Sequence, residues 1–216
     1  MTPCEHERAN EILETRKFWC SKFIDMNDPM EGTFYARDDD VIDKIYNKKK
    51  AFSICSFSAY EALLKPTMWG YYAGGFKGIA IEVESCSVEK MSYVNRVPSH
   101  IDDDSLDAKS MLLSKFNQWR EEDEFRFFTI GESGLYDVGL ITAIYFGYPF
   151  ADFRNCKKIY EDNEIFRCYI ESRRRLLESA QRKAITCFKV CIRDGGIIEI
   201  SDLDGDDNSV GWSAGA

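Results

Sequence analysis

Four acidic residues in succession, Glu121-Glu122-Asp123-Glu124, stand between Trp119-Arg120 and the run Phe125-Arg126-Phe127-Phe128. A chain does not bury adjacent like charges without partners, and it does not readily leave a cluster of phenylalanines in water. The stretch is therefore either a solvated turn or a place where carboxylates are held for chemistry. Alternate residues of a strand share a face. A strand through this stretch would align Glu122, Glu124 and Arg126 in one row and turn Glu121 and Asp123 away. Trp119 before the acids and the phenylalanines after them argue for a partly buried setting.

The chain has 216 residues, 44% of them hydrophobic and 14% aromatic. That is enough for one well-cored globular domain and excludes a disordered chain. A formal charge of −9 with a pI near 4.9 disfavours a passive, broadly basic nucleic-acid binder, since phosphate contact needs clustered Lys and Arg. The cationic triplets are Lys48-Lys49-Lys50 and Arg173-Arg174-Arg175. The eight cysteines form no CxxC pair, and His6 and His100 are far apart in sequence. A zinc centre needs about four ligands, so no metal site is expected, and the cysteines read as scattered buried thiols. The N-terminus is polar and acidic and predicts no secretory leader. No apolar run approaches membrane-spanning length. Reduced cysteines predict a cytoplasmic location with no membrane partner.

Periodicity predicts the elements. Ala9, Ile12 and Leu13 mark a helix over 5–16, and Lys17 to Ser21 reads as a strand. Asn27-Asp28-Pro29 is a turn in which Asn and Asp bond their own backbone and Pro29 fixes φ. Asp38-Asp39-Asp40 and Lys48-Lys49-Lys50 suit opposite ends of a helix dipole, predicting a helix over 38–50. Ala51 to Ser58 reads as a buried strand. An aromatic and glycine patch, Met68 to Gly78, leads into an alternating strand over 79–84. Its rings, Trp69 and Tyr72 above all, are either core residues or a surface on which a planar ligand stacks. Residues 86–104 read as a polar loop. Leu106, Met111, Leu112, Leu113 and Phe116 predict a helix running to Trp119. Strands follow over 125–130 and 140–147, mixed loop and short helix over 149–163, a helix over 170–184, and strands over 185–191 and 197–200. Residues 201–216 read as an acidic, flexible tail. The expected fold is a single α+β domain over residues 1–216, a central antiparallel or mixed (split) sheet with flanking helices.

The segments Asn27-Asp28-Pro29-Met30-Glu31, Cys55-Ser56-Phe57-Ser58, Met68-Trp69-x-x-Tyr72-Ala73 with Lys77-Gly78, Lys115-x-x-x-Trp119-x-x-Glu122-x-Glu124-x-Arg126, and Ile144-Tyr145-Phe146-Gly147 occur in order. Together they resemble an uncharacterised, mostly prokaryotic family carrying a domain of unknown function. Phe76 stands where that family often has a histidine. At greater distance, helix, strand, aromatic patch, strand, helix and then Glu-x-Glu opening a strand resembles the layout of mono-ADP-ribosyltransferases. That resemblance implies a split sheet clamping NAD, which is consumed as substrate. It implies Glu124 and Glu122 as catalytic residues. It implies Trp69, Tyr72, Arg126, Ser58, Asn27 and Asp28 as nucleotide-binding residues. It further implies a toxin or anti-phage defence effector that modifies a protein or nucleic acid, with an inhibitory partner protein.

The chemistry fits such a site. Breaking the nicotinamide–ribose bond passes through an oxocarbenium-like state, which a carboxylate stabilises as in glycosidases. A second carboxylate orients or deprotonates the acceptor. Arg126 pairs with a carboxylate or with a pyrophosphate. Two other readings stand beside this one. One is a non-catalytic nucleotide-binding or interaction module with the acids as its polar rim. The other is a metal-dependent nuclease built on Asp28, Glu31, Glu122 and Glu124.

Overall fold

In the computed structural model the segment 38–50 folds as the charge pattern predicts. Asp38 caps helix α2 (Asp39–Lys50) by accepting a hydrogen bond from the Asp40 amide at 2.8 Å, and the three lysines occupy the last turn. Acids at the positive end and lysines at the negative end both favour the helix. The structure describes residues 3–26, 32–96, 107–148, 164–193, 196 and 198–203. The expected turn at Asn27-Asp28-Pro29, the mixed segment 149–163 and nearly all of the acidic tail lie outside them.

Helices and strands are both abundant, as an α+β chain requires. Packing divides the chain into two compact units. Residues 1–16, 63–84 and 140–216 form unit 1, and residues 17–62 and 85–139 form unit 2. Among the described residues no single central sheet runs through the chain: each unit has its own main sheet.

Unit 1 holds helix α1 (Pro3–Thr15), helix α3 (Pro66–Tyr72), strand β3 (Ile79–Glu84), strand β9 (Leu140–Tyr148), helix α5 (Glu164–Arg182), strand β10 (Thr186–Ile192) and strand β11 (Ile198–Asp202). Its sheet runs β11-β10-β9-β3 and is mixed: β9 and β10 are parallel and the outer pairings antiparallel. Parallel neighbours need a long crossover, and α5 lies within this one. The core gathers Trp69, Ala73, Phe76, Ala143, Tyr145 and Val190. Two glycines let this unit close. A side chain on Gly147 would fall 2.4 Å from the Phe76 carbonyl oxygen, and one on Gly78 would fall 2.9 Å from the Ala73 backbone.

Unit 2 is built on a three-stranded antiparallel sheet of β2 (Phe52–Ser58), β7 (Glu124–Ile130) and β4 (Val88–Lys90), with β7 in the middle. Strand β1 (Phe18–Cys20) pairs with β8 (Gly134–Tyr136), and β5 (Ser92–Val94) pairs with β6 (Ser114–Phe116). Val41 and Ile45 of α2 pack on Met111 of helix α4 (Ala108–Leu112), and Leu112 packs with Phe23 and Ile54. Two expectations fail here. The segment expected as a polar loop contains β4 and β5. The helix expected from Leu106 to Trp119 ends at Leu112, then becomes β6 and a 3-10 helix over Asn117–Glu122.

Among the described cysteines, all are free, with Cys20, Cys187 and Cys191 buried. No helix among the described residues is long and apolar enough to cross a membrane.

Candidate functional site

The acidic stretch folds as a turn that directs Glu122 and Glu124 inward and leaves Glu121 exposed. Glu122 ends the 3-10 helix, and Asp123 takes a left-handed conformation (φ 42°, ψ 56°) before Glu124 opens β7. Aspartate tolerates this conformation better than most residues. Glu122 is therefore not on the strand, which corrects the expected three-residue row. Only Glu124 and Arg126 share the strand face. The left-handed turn nevertheless delivers Glu122 to the same place.

That place is the Lys115 ammonium on β6. Lys115 Nζ donates to Glu122 Oε2 at 2.6 Å and to Glu124 Oε2 at 3.0 Å. Arg126 Nε donates to Glu124 Oε1 at 2.8 Å, and another guanidinium nitrogen donates to the Leu112 carbonyl at 2.5 Å. All four side chains are buried: Glu122 is 6% exposed, Glu124 4%, Lys115 8% and Arg126 0%. The Trp119 ring centroid lies 5.1 Å from the ammonium. Tyr93 Oη accepts the Glu124 amide at 2.8 Å. Two cations and two anions make the cluster neutral, which is how a low-dielectric interior tolerates charge.

Burial would push the Glu124 carboxyl up. The Arg126 charge and hydrogen bond, the Lys115 charge and the Ser56 hydroxyl outweigh it and hold the group below the usual glutamate value. Burial likewise opposes the Lys115 charge, but bonds to Glu122 and Glu124 raise its pKa above that of an ordinary lysine. Tyr93 is raised mainly by burial, reinforced by the Glu124 and Glu122 charges. At neutral pH the site thus holds a carboxylate at Glu124, an ammonium at Lys115 and a neutral phenol at Tyr93. An ionised Glu124 suits charge stabilisation or hydroxyl binding, and it excludes Glu124 as a general acid in this state.

The other predicted site residues are placed differently. Arg126, offered by the sequence to a carboxylate or a pyrophosphate, is engaged by the carboxylate and fully buried. Ser58 is exposed and sits opposite Glu124 in the β2–β7 register. Its neighbour Ser56, opposite Arg126, is the serine that bonds Glu124. Trp69 is a core residue of unit 1, 2% exposed, stacked on Phe76 at 5.2 Å, with its indole N–H donating to Leu63 at 2.9 Å. Tyr72 is 57% exposed at the end of α3, also in unit 1. Asn27 and Asp28 lie outside the described residues, as does Glu31. Among the described residues no group of three metal-ligating side chains is gathered. Glu122 and Glu124 converge on a lysine, not on an open cation site.

Lys115 is the residue the sequence reading passed over as a site member. The signal was present: buried glutamates need a counter-charge, and Lys115 stands in the same short motif as both. Tyr93 had no such signal, because its stretch reads as loop. Comparisons find no matching family, no matching curated protein and no matching solved structure.

Proposed function

We propose that the Lys115–Glu122–Glu124–Arg126 cluster is the centre of an NAD-consuming, mono-ADP-ribosyltransferase-like site. The observation that carries this reading is Glu124: a carboxylate 4% exposed, held ionised between two cations. Preorganised charge of this kind is what an oxocarbenium-like transition state needs. A buried ion cluster is also a poor way to obtain stability, since apolar residues of similar volume often serve as well or better. The partition of the strands into two main sheets supports the split-sheet likeness.

In the proposed reaction the nicotinamide–ribose bond breaks and nicotinamide leaves with the bonding electrons. Glu124 stabilises the positive charge left on the ribosyl carbon and oxygen. A nucleophile on a protein, on a nucleic acid or from water then attacks that carbon. Glu122, on the far side of the shared lysine, orients the nucleophile or takes its proton. Substrate must displace a Lys115 or Arg126 donor from Glu124, so the cluster opens on binding. Such an activity suits a toxin or defence effector acting in the cytoplasm, and it calls for an inhibitory partner protein.

A second reading, a non-catalytic nucleotide-binding or interaction module, is favoured by the closed pairing of the cluster. Nicotinamide release from NAD by the purified protein separates the two. The enzyme reading expects release that falls at least a hundredfold in Glu124→Gln while the folded state persists. NAD that raises the melting midpoint but is never cleaved supports the module. Equal release by wild type and Glu124→Gln contradicts the assignment of Glu124.

A further inference from the structure

We propose that Cys20 and Cys55 form a site of reversible oxidation in unit 2, a dithiol that a hydroperoxide converts to a cross-strand disulfide. Both thiols are free, Cys20 buried and Cys55 half-buried. Cys20 lies on β1 and Cys55 on β2, within the same unit. This site does not depend on the acidic cluster or on the function proposed for it.

Strand register brings the two together. The Ser21 amide donates to the Ile54 carbonyl at 2.9 Å, and the Ile54 amide donates to the Ser21 carbonyl at 2.8 Å. This reciprocal exchange marks a hydrogen-bonded antiparallel pair. One residue further along each strand, Cys20 stands opposite Cys55 at a non-hydrogen-bonded position, where Cα atoms approach to about 4.5 Å. Disulfides span Cα separations of roughly 4.4–6.8 Å, so the pairing suits the bond. Two residues beyond, Phe18 meets Phe57 with ring centroids 5.9 Å apart. The register therefore holds on both sides of the thiols. Alternation places Phe18 and Cys20 on one face of β1, and Cys55 and Phe57 on the facing side of β2.

The thiols also share a hydrogen bond. It eases ionisation of Cys20, against the opposing effect of burial. It raises the pKa of Cys55, and burial and the Cys20 charge act in the same direction. The pair thus gives up one proton and keeps the second between the sulfurs, so the charge can sit on either. The thiolate is the form that attacks an oxidant, and the half-buried Cys55 is the sulfur that solvent reaches. Cys187 and Cys191 show the contrast. They lie on one strand, opposite Ile144 and Tyr148. Four residues along a strand separate them by about 13 Å, beyond the reach of a disulfide.

With hydrogen peroxide as the oxidant, the Cys55 thiolate attacks one peroxide oxygen. The O–O bond breaks, and the other oxygen leaves as hydroxide and takes up a proton to become water. Cys55 is then a sulfenic acid. The Cys20 sulfur attacks the Cys55 sulfur, the S–O bond breaks, and the hydroxyl leaves as water with the Cys20 proton. Two thiols and one peroxide thus give one disulfide and two waters, with two electrons passing from sulfur to oxygen. A thiol reductant reverses the bond through a mixed disulfide. The disulfide ties β1, and with it β8, to the three-stranded sheet of unit 2.

Treating the folded full chain with hydrogen peroxide, alkylating the remaining thiols and mapping peptides without reductant tests the site. Wild type is expected to yield a Cys20–Cys55 cross-linked peptide as its main cross-link, formed within one molecule, and dithiothreitol is expected to restore both thiols. Cys20→Ala is expected to leave Cys55 as a sulfenic acid that dimedone traps about tenfold more than in wild type, because the resolving thiol is gone. Cys55→Ser is expected to leave Cys20 unmodified. Cys55 is only half-buried, so its variant reports even if Cys20→Ala does not fold. Cys20 and Cys55 recovered free while the exposed Cys86 and Cys168 are oxidised would overturn the proposal. So would cross-links from either to another cysteine in place of each other, equal trapping in wild type and Cys20→Ala, or Cys20 oxidised as fast in Cys55→Ser as in wild type.

Discussion

Unit 2 and unit 1 bury arginine in opposite ways. Arg126 is enclosed with its counter-ion: Glu124 takes its Nε, and Lys115 and Glu122 complete a neutral set. Arg173 is enclosed against the Tyr148 and Phe146 rings, and its Nε has no hydrogen-bond partner among the described residues. The first arrangement is balanced in charge by described side chains, so removing one member leaves an uncompensated charge behind. The second sets the guanidinium against ring faces, so removing the arginine breaks no ion pair among the described residues. The same residue type is thus balanced by charge in one unit and set against aromatic rings in the other.

The largest effect is expected from breaking the closed set. Arg126→Met leaves Glu124 buried beside Lys115 alone and is expected to cost about 3–5 kcal/mol in urea unfolding. Glu124→Gln keeps the shape but removes one charge that serves two cations. It is expected to cost roughly 2–3 kcal/mol, since bonds to charged groups are worth about 1.5–3 kcal/mol each and some are retained by the amide. Arg173→Met removes a cation–π contact worth about 0.5–2 kcal/mol together with the cost of burying the charge. It is expected to shift stability by less than about 1.5 kcal/mol. If Arg173→Met proves as costly as Arg126→Met, the contrast between the units fails. The smallest effect is at the rim of the cluster. Lys90 pairs with Asp123 at 2.9 Å, with the lysine side chain 60% exposed, and Lys90→Ala is expected to stay within about 0.5 kcal/mol.

The pH dependence sharpens the same contrast. Glu124 is depressed in the folded state, so its contribution is present above the ordinary value of 4.5 and is lost as pH falls through the lower folded value. Lys115 is raised above 10.5, so its contribution is present below that value and is lost as pH climbs through the higher folded one. Unfolding midpoints measured across pH should show both limbs. Glu124→Gln should flatten the acid limb, whereas Arg173→Met should leave it unchanged.

Legibility in the sequence followed how local the deciding physics was. Helix α2 was readable because its cap and its terminal charges lie within the segment. Strand β7 was readable because Phe125 to Ile130 alternate. The helix expected to reach Trp119 was not. Its apolar stripe is real, but the Ser114 hydroxyl donates to the Ser110 carbonyl at 3.0 Å, a bond that competes with helical continuation. Ser114 to Phe116 then pair with β5, and that strand carries Lys115 to the acids. Strands β4 and β5 were missed because they are short and half-buried. Lys90 lies along the Phe125 ring at 5.3 Å, so a polar residue there covers apolar surface. At the cluster, the shared strand face of Glu124 and Arg126 was readable from their spacing. Glu122 was expected in the same strand row but reaches the cluster by another route, because a single left-handed residue at Asp123 is invisible to periodicity. Trp69 shows the opposite limit: nothing local distinguishes a ring that stacks on Phe76 from one that stacks on a ligand.

The central claim is that Glu124 is a buried carboxylate kept ionised by Lys115 and Arg126. Its side-chain carboxyl resonance, followed by NMR as pH falls, tests this directly. An ionised, doubly bonded Glu124 predicts a midpoint below the ordinary glutamate value of 4.5, moving upward when Lys115 is replaced by Met. A midpoint at or above 4.5 in the folded wild type, or one indifferent to Lys115, would contradict it.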